Sequence, residues 1–126
     1  MRETVLLINF QDEKQLRDLK MILFTLKIRM KKVEKKEYLQ QIGFLAGMKN
    51  MEAAPECYEG GELEKEMMVF AGISNQRLDQ ILSMMRKNGV KRVDYKAILT
   101  ETNKTWTVPR LYEEISKEHA QMHRQS

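Results

Sequence analysis

The chain has 126 residues, of which 42% are hydrophobic and 32% are charged, as expected for one globular domain with a single core. Its lone cysteine, Cys57, excludes an intramolecular disulfide and favours a reducing compartment. The first apolar run, Val5–Ile8, is too short for a signal peptide or a membrane span. We therefore expect a cytoplasmic protein with no membrane partner.

The first 50 residues predict two strands and two helices. Val5–Phe10 is a continuous β-leaning run, which is typical of a strand buried on both faces. A helix begins at Asp12, and its apolar stripe comprises Leu16, Leu19, Ile22, Leu23 and Leu26. Ile28–Val33 predicts a second strand, and its Lys and Arg residues indicate a sheet edge. Residues 36–50 predict a shorter helix.

The segment 52–66 is an acidic loop. It holds six glutamates and one lysine, together with Pro55 and Gly60-Gly61. Outside it, 21 basic and 12 acidic residues remain, so an acidic loop is joined to a basic body. Because its charges repel and it offers little apolar surface, we expect this loop to be mobile or poorly packed.

The second half repeats the order of strand, helix and strand. Met67–Gly72 predicts a buried strand, and Ser74 is a suitable N-cap for a helix with Leu78, Ile81, Leu82 and Met85 on one face. Asn88-Gly89 ends that helix, and Val90–Leu99 predicts the fourth strand. Thr107 caps a last helix, whose buried side is marked by Leu111, Ile115 and Met122.

The hydrophobic patterns of the two halves align at an offset of 62 residues, with Leu16 on Leu78 and Leu23 on Met85. We predict a single domain, residues 1–126, with a pseudo-repeat formed by 1–50 and 66–123. The predicted fold is α/β, an α+β sandwich in which two βαβ-type repeats share a four-stranded sheet with helices packed on it. A ferredoxin-like order with added helices is our first choice, and a mostly parallel sheet is the alternative.

The densest polar segment is Lys96–Trp106, where the fourth strand ends and a loop leads to the last helix. Ligands of α/β proteins commonly bind at the C-terminal ends of strands. Lys96 would supply charge, Thr100 and Asn103 hydrogen-bonding groups, and Trp106 an apolar wall. These four residues are our candidate ligand-binding site, although Thr100 and Asn103 are also ordinary turn formers.

Several segments resemble a bacterial family of uncharacterised domains, domain-of-unknown-function family 3783. The resemblance is carried by Lys96-Ala97-Ile98-Leu99-Thr100, Asn103-Lys104-Thr105-Trp106 and Leu111-Tyr112-Glu113-Glu114, with Lys117-Glu118-His119 after them. The segments Glu3–Leu7 and Tyr38–Gly47 also look like members of the family. The resemblance implies a bacterial cytoplasmic protein and implies no particular activity.

Other chemistry is poorly supported by the residues. His119 and His123 are four residues apart, but no third ligand is near them, so we predict no metal site and no cofactor. Cys57 stands among glutamates, which disfavour a thiolate nucleophile. A basic run would suit phosphates, but no aromatic residue is interleaved with it, so we do not expect nucleic acid; it comprises Lys27, Arg29, Lys31, Lys32, Lys35 and Lys36.

The leading hypothesis is therefore a non-catalytic module that binds a small ligand or another protein, with a homodimer left open. An enzyme acting on a small anionic substrate at the Lys96–Trp106 loop is one alternative. A protein that associates with RNA through its lysine-rich second strand is the other. We predict no catalytic residues.

Overall fold

The computed structural model of the chain describes residues 1–125, with side chains through Met122. The elements are β1 Thr4–Ile8, α1 Glu13–Thr25, β2 Arg29–Val33, α2 Ile42–Leu45, β3 Met67–Ala71, α3 Asn75–Lys87, β4 Tyr95–Ile98 and α4 Val108–Gln125. Short 3-10 turns occur at Lys35–Glu37 and Asn103–Thr105. The four strands form one sheet in the order β2-β1-β3-β4.

Two βαβ units share this sheet. β1 is parallel to β2 and β3 is parallel to β4, whereas β1 and β3 are antiparallel in the centre. The predicted α/β class is confirmed, and two of the three strand pairings are parallel. The order differs from the ferredoxin-like one, in which a strand of the other unit splits each βαβ. The apolar runs of β1 and β3 are buried at every residue, so these strands take the centre in either order; here each edge strand pairs with the first strand of its own unit.

Helices cover both faces of the sheet. Alternate residues of β1 point to opposite sides, so Val5 and Leu7 pack against α1 and α3, and Leu6 and Ile8 against the α2 and α4 side. We call these the α1–α3 face and the α4 face. None of the helices in the described part of the chain is long and apolar enough to cross a membrane.

The two long crossover helices follow their predicted patterns. Asp12 caps α1 and Ser74 caps α3, each accepting the backbone N–H three residues along. Left-handed residues follow both helices, Lys27 at φ 59° and Gly89 at φ 65°. The predicted core positions are confirmed as buried, namely Leu19, Leu23, Ile81 and Met85.

Residues 36–50 differ from the single helix predicted for them. Only the 3-10 turn and the four-residue α2 form, because backbone groups bond to the start of α4 instead of to the next helical turn. Ile42 donates its N–H to the Trp106 carbonyl at 2.8 Å, and Tyr38 accepts the Val108 N–H at 3.1 Å. These tertiary hydrogen bonds outcompete local helix propensity.

Two further predictions need correction near the C-terminus. β4 is shorter than Val90–Leu99, since residues 90–94 are irregular. Met122 is 70% exposed, whereas Leu111 is buried and Ile115 partly so. The buried stripe of α4 therefore ends before Met122, where the helix extends beyond the core.

The acidic segment 52–66 has no helix or strand and is mostly exposed, but it is not poorly packed throughout. The Gln40 side chain makes two hydrogen bonds with the Ala54 backbone, at 2.7 and 3.0 Å. Tyr38 donates to Glu62 at 2.7 Å, and its ring packs at a tilt against that of Tyr58, with 5.3 Å between the ring centroids. These contacts attach the segment to the chain between β2 and α2.

Candidate functional site

Thr100 and Asn103, two of the predicted ligand-binding residues, bond to each other and to the end of β4. The Asn103 Oδ1 accepts the Thr100 N–H at 2.9 Å, and its Nδ2 donates to the Ile98 carbonyl at 3.0 Å. The Thr100 Oγ1 accepts the Asn103 N–H at 3.1 Å. Asn103 is only 8% exposed, so these bonds engage both ends of its amide. The pair closes the turn that leads into α4.

Trp106, the predicted apolar wall, lies on the α4 face. The Arg110 guanidinium stacks on its ring at 4.6 Å from the centroid. The Trp106 backbone carbonyl accepts the Ile42 N–H. Trp106 thus attaches the start of α4 to α2, on the side of the sheet that Lys96 does not face.

Lys96 lies in the middle of β4 and points to the α1–α3 face, where it is half-buried. Its Nζ donates to the Val93 carbonyl. Burial lowers the pKa of Lys96, the Arg92 charge lowers it further, and Asp94 partly offsets both effects. The structure therefore does not bring Lys96 and Trp106 into one site.

Lys96 instead borders a cavity of about 320 Å³ between the end of α3 and β4, which we call the α3–β4 pocket. Its wall combines four apolar side chains with three cations. The lining residues are Leu82, Met85, Arg86, Val90, Arg92, Val93 and Lys96.

The positive charges of the α3–β4 pocket are only partly balanced. Arg92 pairs with Asp94 at 3.1 Å, and Asp94 also pairs with Lys65 at 3.7 Å. Within residues 1–122, neither Arg86 nor Lys96 forms a salt bridge, and no carboxylate lines the pocket. An anion entering the pocket would therefore meet two cations that form no salt bridge with a described residue.

Sequence reasoning found Lys96 but missed Arg86 and Arg92. No strand alternation indicates Arg92, because residues 90–94 are irregular and the adjacent Arg92 and Val93 both line the pocket. Arg86 directly follows the buried Met85 in the last turn of α3. Only the packing of α3 on the sheet shows that it reaches β4.

The structure adds no support for a functional role of the other candidate residues, the two histidines and Cys57. The His119 ring packs edge-on against Tyr95 at 5.2 Å, and the His123 side chain lies outside the described residues. Among the side chains that are described, no three His, Cys, Asp or Glu residues are grouped as a metal site would need. Cys57 is exposed and unpaired by any disulfide.

Comparison with known proteins yields a family match only. No curated protein and no solved structure matches the chain. The match to the family model spans residues 66–122, which contain the whole lining of the α3–β4 pocket. The segments Glu3–Leu7 and Tyr38–Gly47 lie outside it, so the match is narrower than the resemblance expected from sequence. Over β3, α3, β4 and most of α4, the chain resembles the family described as Domain of unknown function (DUF3783).

Proposed function

We propose that the protein is a non-catalytic module that binds a small anionic ligand in the α3–β4 pocket. The observation that carries this proposal is the placement of three cations around an apolar cavity, two of which form no salt bridge with a described residue. An anionic group would contact Arg86, Arg92 and Lys96. The apolar part of the ligand would pack on Leu82 and Met85.

The size of the pocket limits the ligand. Sites for small molecules usually measure about 300–1,000 Å³, so a cavity of about 320 Å³ is at the small end. It suits one phosphate or carboxylate joined to a single ring or a short aliphatic chain. Arginine is suited to such groups because its planar fork binds two oxygens at once.

The charge state of Lys96 connects binding to pH. Its pKa is lowered because its ammonium is desolvated beside Arg92, and a bound anion would favour the protonated form. Binding would therefore raise the pKa of Lys96. The affinity would be greatest below that pKa and would fall as the pH rises through it.

Phenyl phosphate is a suitable probe, with benzyl alcohol as its uncharged counterpart. Methionine methyl NMR would report its position, because Met85 lines the pocket and the fully buried Met67 and Met68 do not. We expect the Met85 methyl to shift saturably with phenyl phosphate but not with benzyl alcohol. Lys96→Gln and Arg86→Gln should weaken binding about tenfold or more, since each removes a charge-assisted contact.

Lys87→Gln is the matched control, because Lys87 neighbours Arg86 in sequence but does not line the pocket. It changes the net charge of the protein by the same amount. Equal loss of binding in Lys87→Gln and Lys96→Gln would show that general electrostatics, and not this pocket, attracts the anion. If phenyl phosphate does not change the chemical shift of the Met85 methyl group, the proposal is wrong.

We also propose that the two βαβ units are an internal repeat in a bacterial cytoplasmic protein. Two features support the repeat. α1 and α3 both contain 13 residues, and left-handed residues occur directly after the first strand of each unit, Asn9 and Gly72, and after the helix, Lys27 and Gly89. The single cysteine and the family resemblance support the location.

A further inference from the structure

The most exposed aromatic side chain among the described residues is Phe24, at the end of α1. It is 83% exposed, and Met21, one turn before it, is 64% exposed. Phe24 forms a ridge between two open cavities, with volumes of about 520 and 590 Å³. We call the two cavities together the α1–β2 groove. Its apolar floor is formed by Leu23, Ile28 and Met30.

Among the described residues, the charged side chains that line the α1–β2 groove are all cations and form its rim: Arg2, Lys20, Lys27 and Arg29. None of these four forms a salt bridge with a described residue, although the Arg29 guanidinium donates to the Ala46 carbonyl at 3.5 Å. The rim is therefore a surface whose positive charge is not neutralised within the described part of the chain. It favours an acidic occupant.

The groove borders the free edge of the sheet. β2 is the outermost strand on this side, and its Arg29 N–H bonds inward to the Glu3 carbonyl at 3.2 Å. Because hydrogen-bonding groups alternate along a strand, the N–H groups of Met30 and Lys32 point away from β1. This edge offers backbone donors and acceptors to an added strand.

We propose that the α1–β2 groove docks an extended acidic segment of a partner protein. The segment would pair with the outer edge of β2. Its apolar side chains would enter the groove beside Phe24, and its carboxylates would meet Lys20 and Lys27. Met21 and Met30 are flexible and would adapt their shape to such a segment.

Other occupants use less of this surface. In a two-fold pairing with a second copy, identical cationic rims would face each other and repel. An anionic membrane would engage Phe24 and the cations but leave the β2 backbone groups without partners. A nucleic acid would likewise use the cations and Phe24 but not the apolar floor.

The test is selection of binders to the full chain from a random peptide display library. We expect enriched peptides in which Asp or Glu alternates with Leu, Ile, Val or Phe. A synthetic peptide of the enriched sequence should shift the methyl resonances of Met21 and Met30 but not that of Met85. Phe24→Ser and Lys27→Glu should each weaken its binding about tenfold or more, because they remove the ridge and reverse a rim charge.

Met122→Ser is the matched control, since Met122 is comparably exposed but lies on α4. It should leave peptide binding unchanged. All variants are at exposed positions, and an unchanged melting temperature would establish that they fold. Enriched peptides without acidic residues, or equal binding by Phe24→Ser, would overturn the proposal.

Two further experiments test the other possible occupants of the α1–β2 groove. Sedimentation of the protein with phosphatidylserine vesicles tests the membrane, and fluorescence anisotropy with labelled oligouridylate tests nucleic acid. Suppose that no acidic peptide is enriched, and that the protein binds the vesicles or the oligouridylate. If Phe24→Ser then abolishes that binding, the surface belongs to the membrane or to nucleic acid instead. Dimerisation in analytical ultracentrifugation that Phe24→Ser abolishes would assign it to a second copy.

Discussion

Replacing Asn103 by alanine tests whether the turn after β4 is structural. The Asn103 amide bonds to the Thr100 N–H and to the Ile98 carbonyl, in a side chain that is 8% exposed. Each such bond contributes about 1 kcal/mol net, so Asn103→Ala should lower the free energy of unfolding by about 2 kcal/mol. For a chain of this size, that loss lowers the melting temperature by about 5–10 °C.

Urea denaturation followed by Trp106 fluorescence would measure the effect. Trp106 follows the turn and contacts the α4-face core, so its emission reports unfolding of this region. With a typical urea slope, the midpoint should fall by about 1 M. Thr102→Ala is the control, because Thr102 is exposed in the same turn and its stability should change by less than about 0.5 kcal/mol.

A structural role for Asn103 also has a consequence for binding. Asn103→Ala should retain the affinity for phenyl phosphate, because Asn103 does not line the α3–β4 pocket. If the variant kept wild-type stability but lost binding, Asn103 would be a ligand-binding residue, as its sequence context predicts. Its assignment to the turn that closes β4 would then be wrong.

Three other substitutions probe the fold. Leu23→Ala, at a core position 1% exposed, should cost about 2–5 kcal/mol in urea denaturation; a cost below about 1 kcal/mol would contradict the packing of α1 on the sheet. Arg77 hydrogen bonds lower the pKa of Glu3, so their stabilisation is present above the usual Glu3 pKa and is lost as the pH falls through the lowered value. The stability difference between wild type and Arg77→Met should therefore shrink in acid, and a pH-independent difference would refute the pairing. Tyr38→Phe removes the hydrogen bond to Glu62 and should speed amide exchange around residue 62; unchanged exchange would show that this bond does not hold the acidic segment.

Apolar periodicity and capping residues predict most of the fold. The stripe through Leu19 and Leu23 and the caps at Asp12 and Ser74 are local features, and the structure follows them. The structure of residues 36–50 could not be predicted from local patterns, because their backbone forms hydrogen bonds with residues near Trp106, far along the chain. The strand order could not be predicted either, since a hydrophobic pattern indicates that a strand is buried but not which strand lies beside it.

The candidate site is predicted in part for the same reason. Lys96 is recognisable as a cation on a buried strand, whereas Arg92 lies in the irregular segment before β4, where no alternation indicates it. Thr100 and Asn103 look like ligand-binding residues in sequence because turn formers and binding residues are the same types. Trp106 ends on the opposite face because the turn carries the chain around the end of β4, which no local pattern reveals.

The pKa of Lys96, followed by NMR of the lysine ε-carbon with and without phenyl phosphate, tests the proposed function most directly. We expect a Lys96 pKa below the ordinary lysine value in the free protein, and an increase when phenyl phosphate saturates the pocket. The Lys87 resonance should not respond to the ligand. A Lys96 pKa that phenyl phosphate leaves unchanged would contradict the proposal that this cation holds an anion in the α3–β4 pocket.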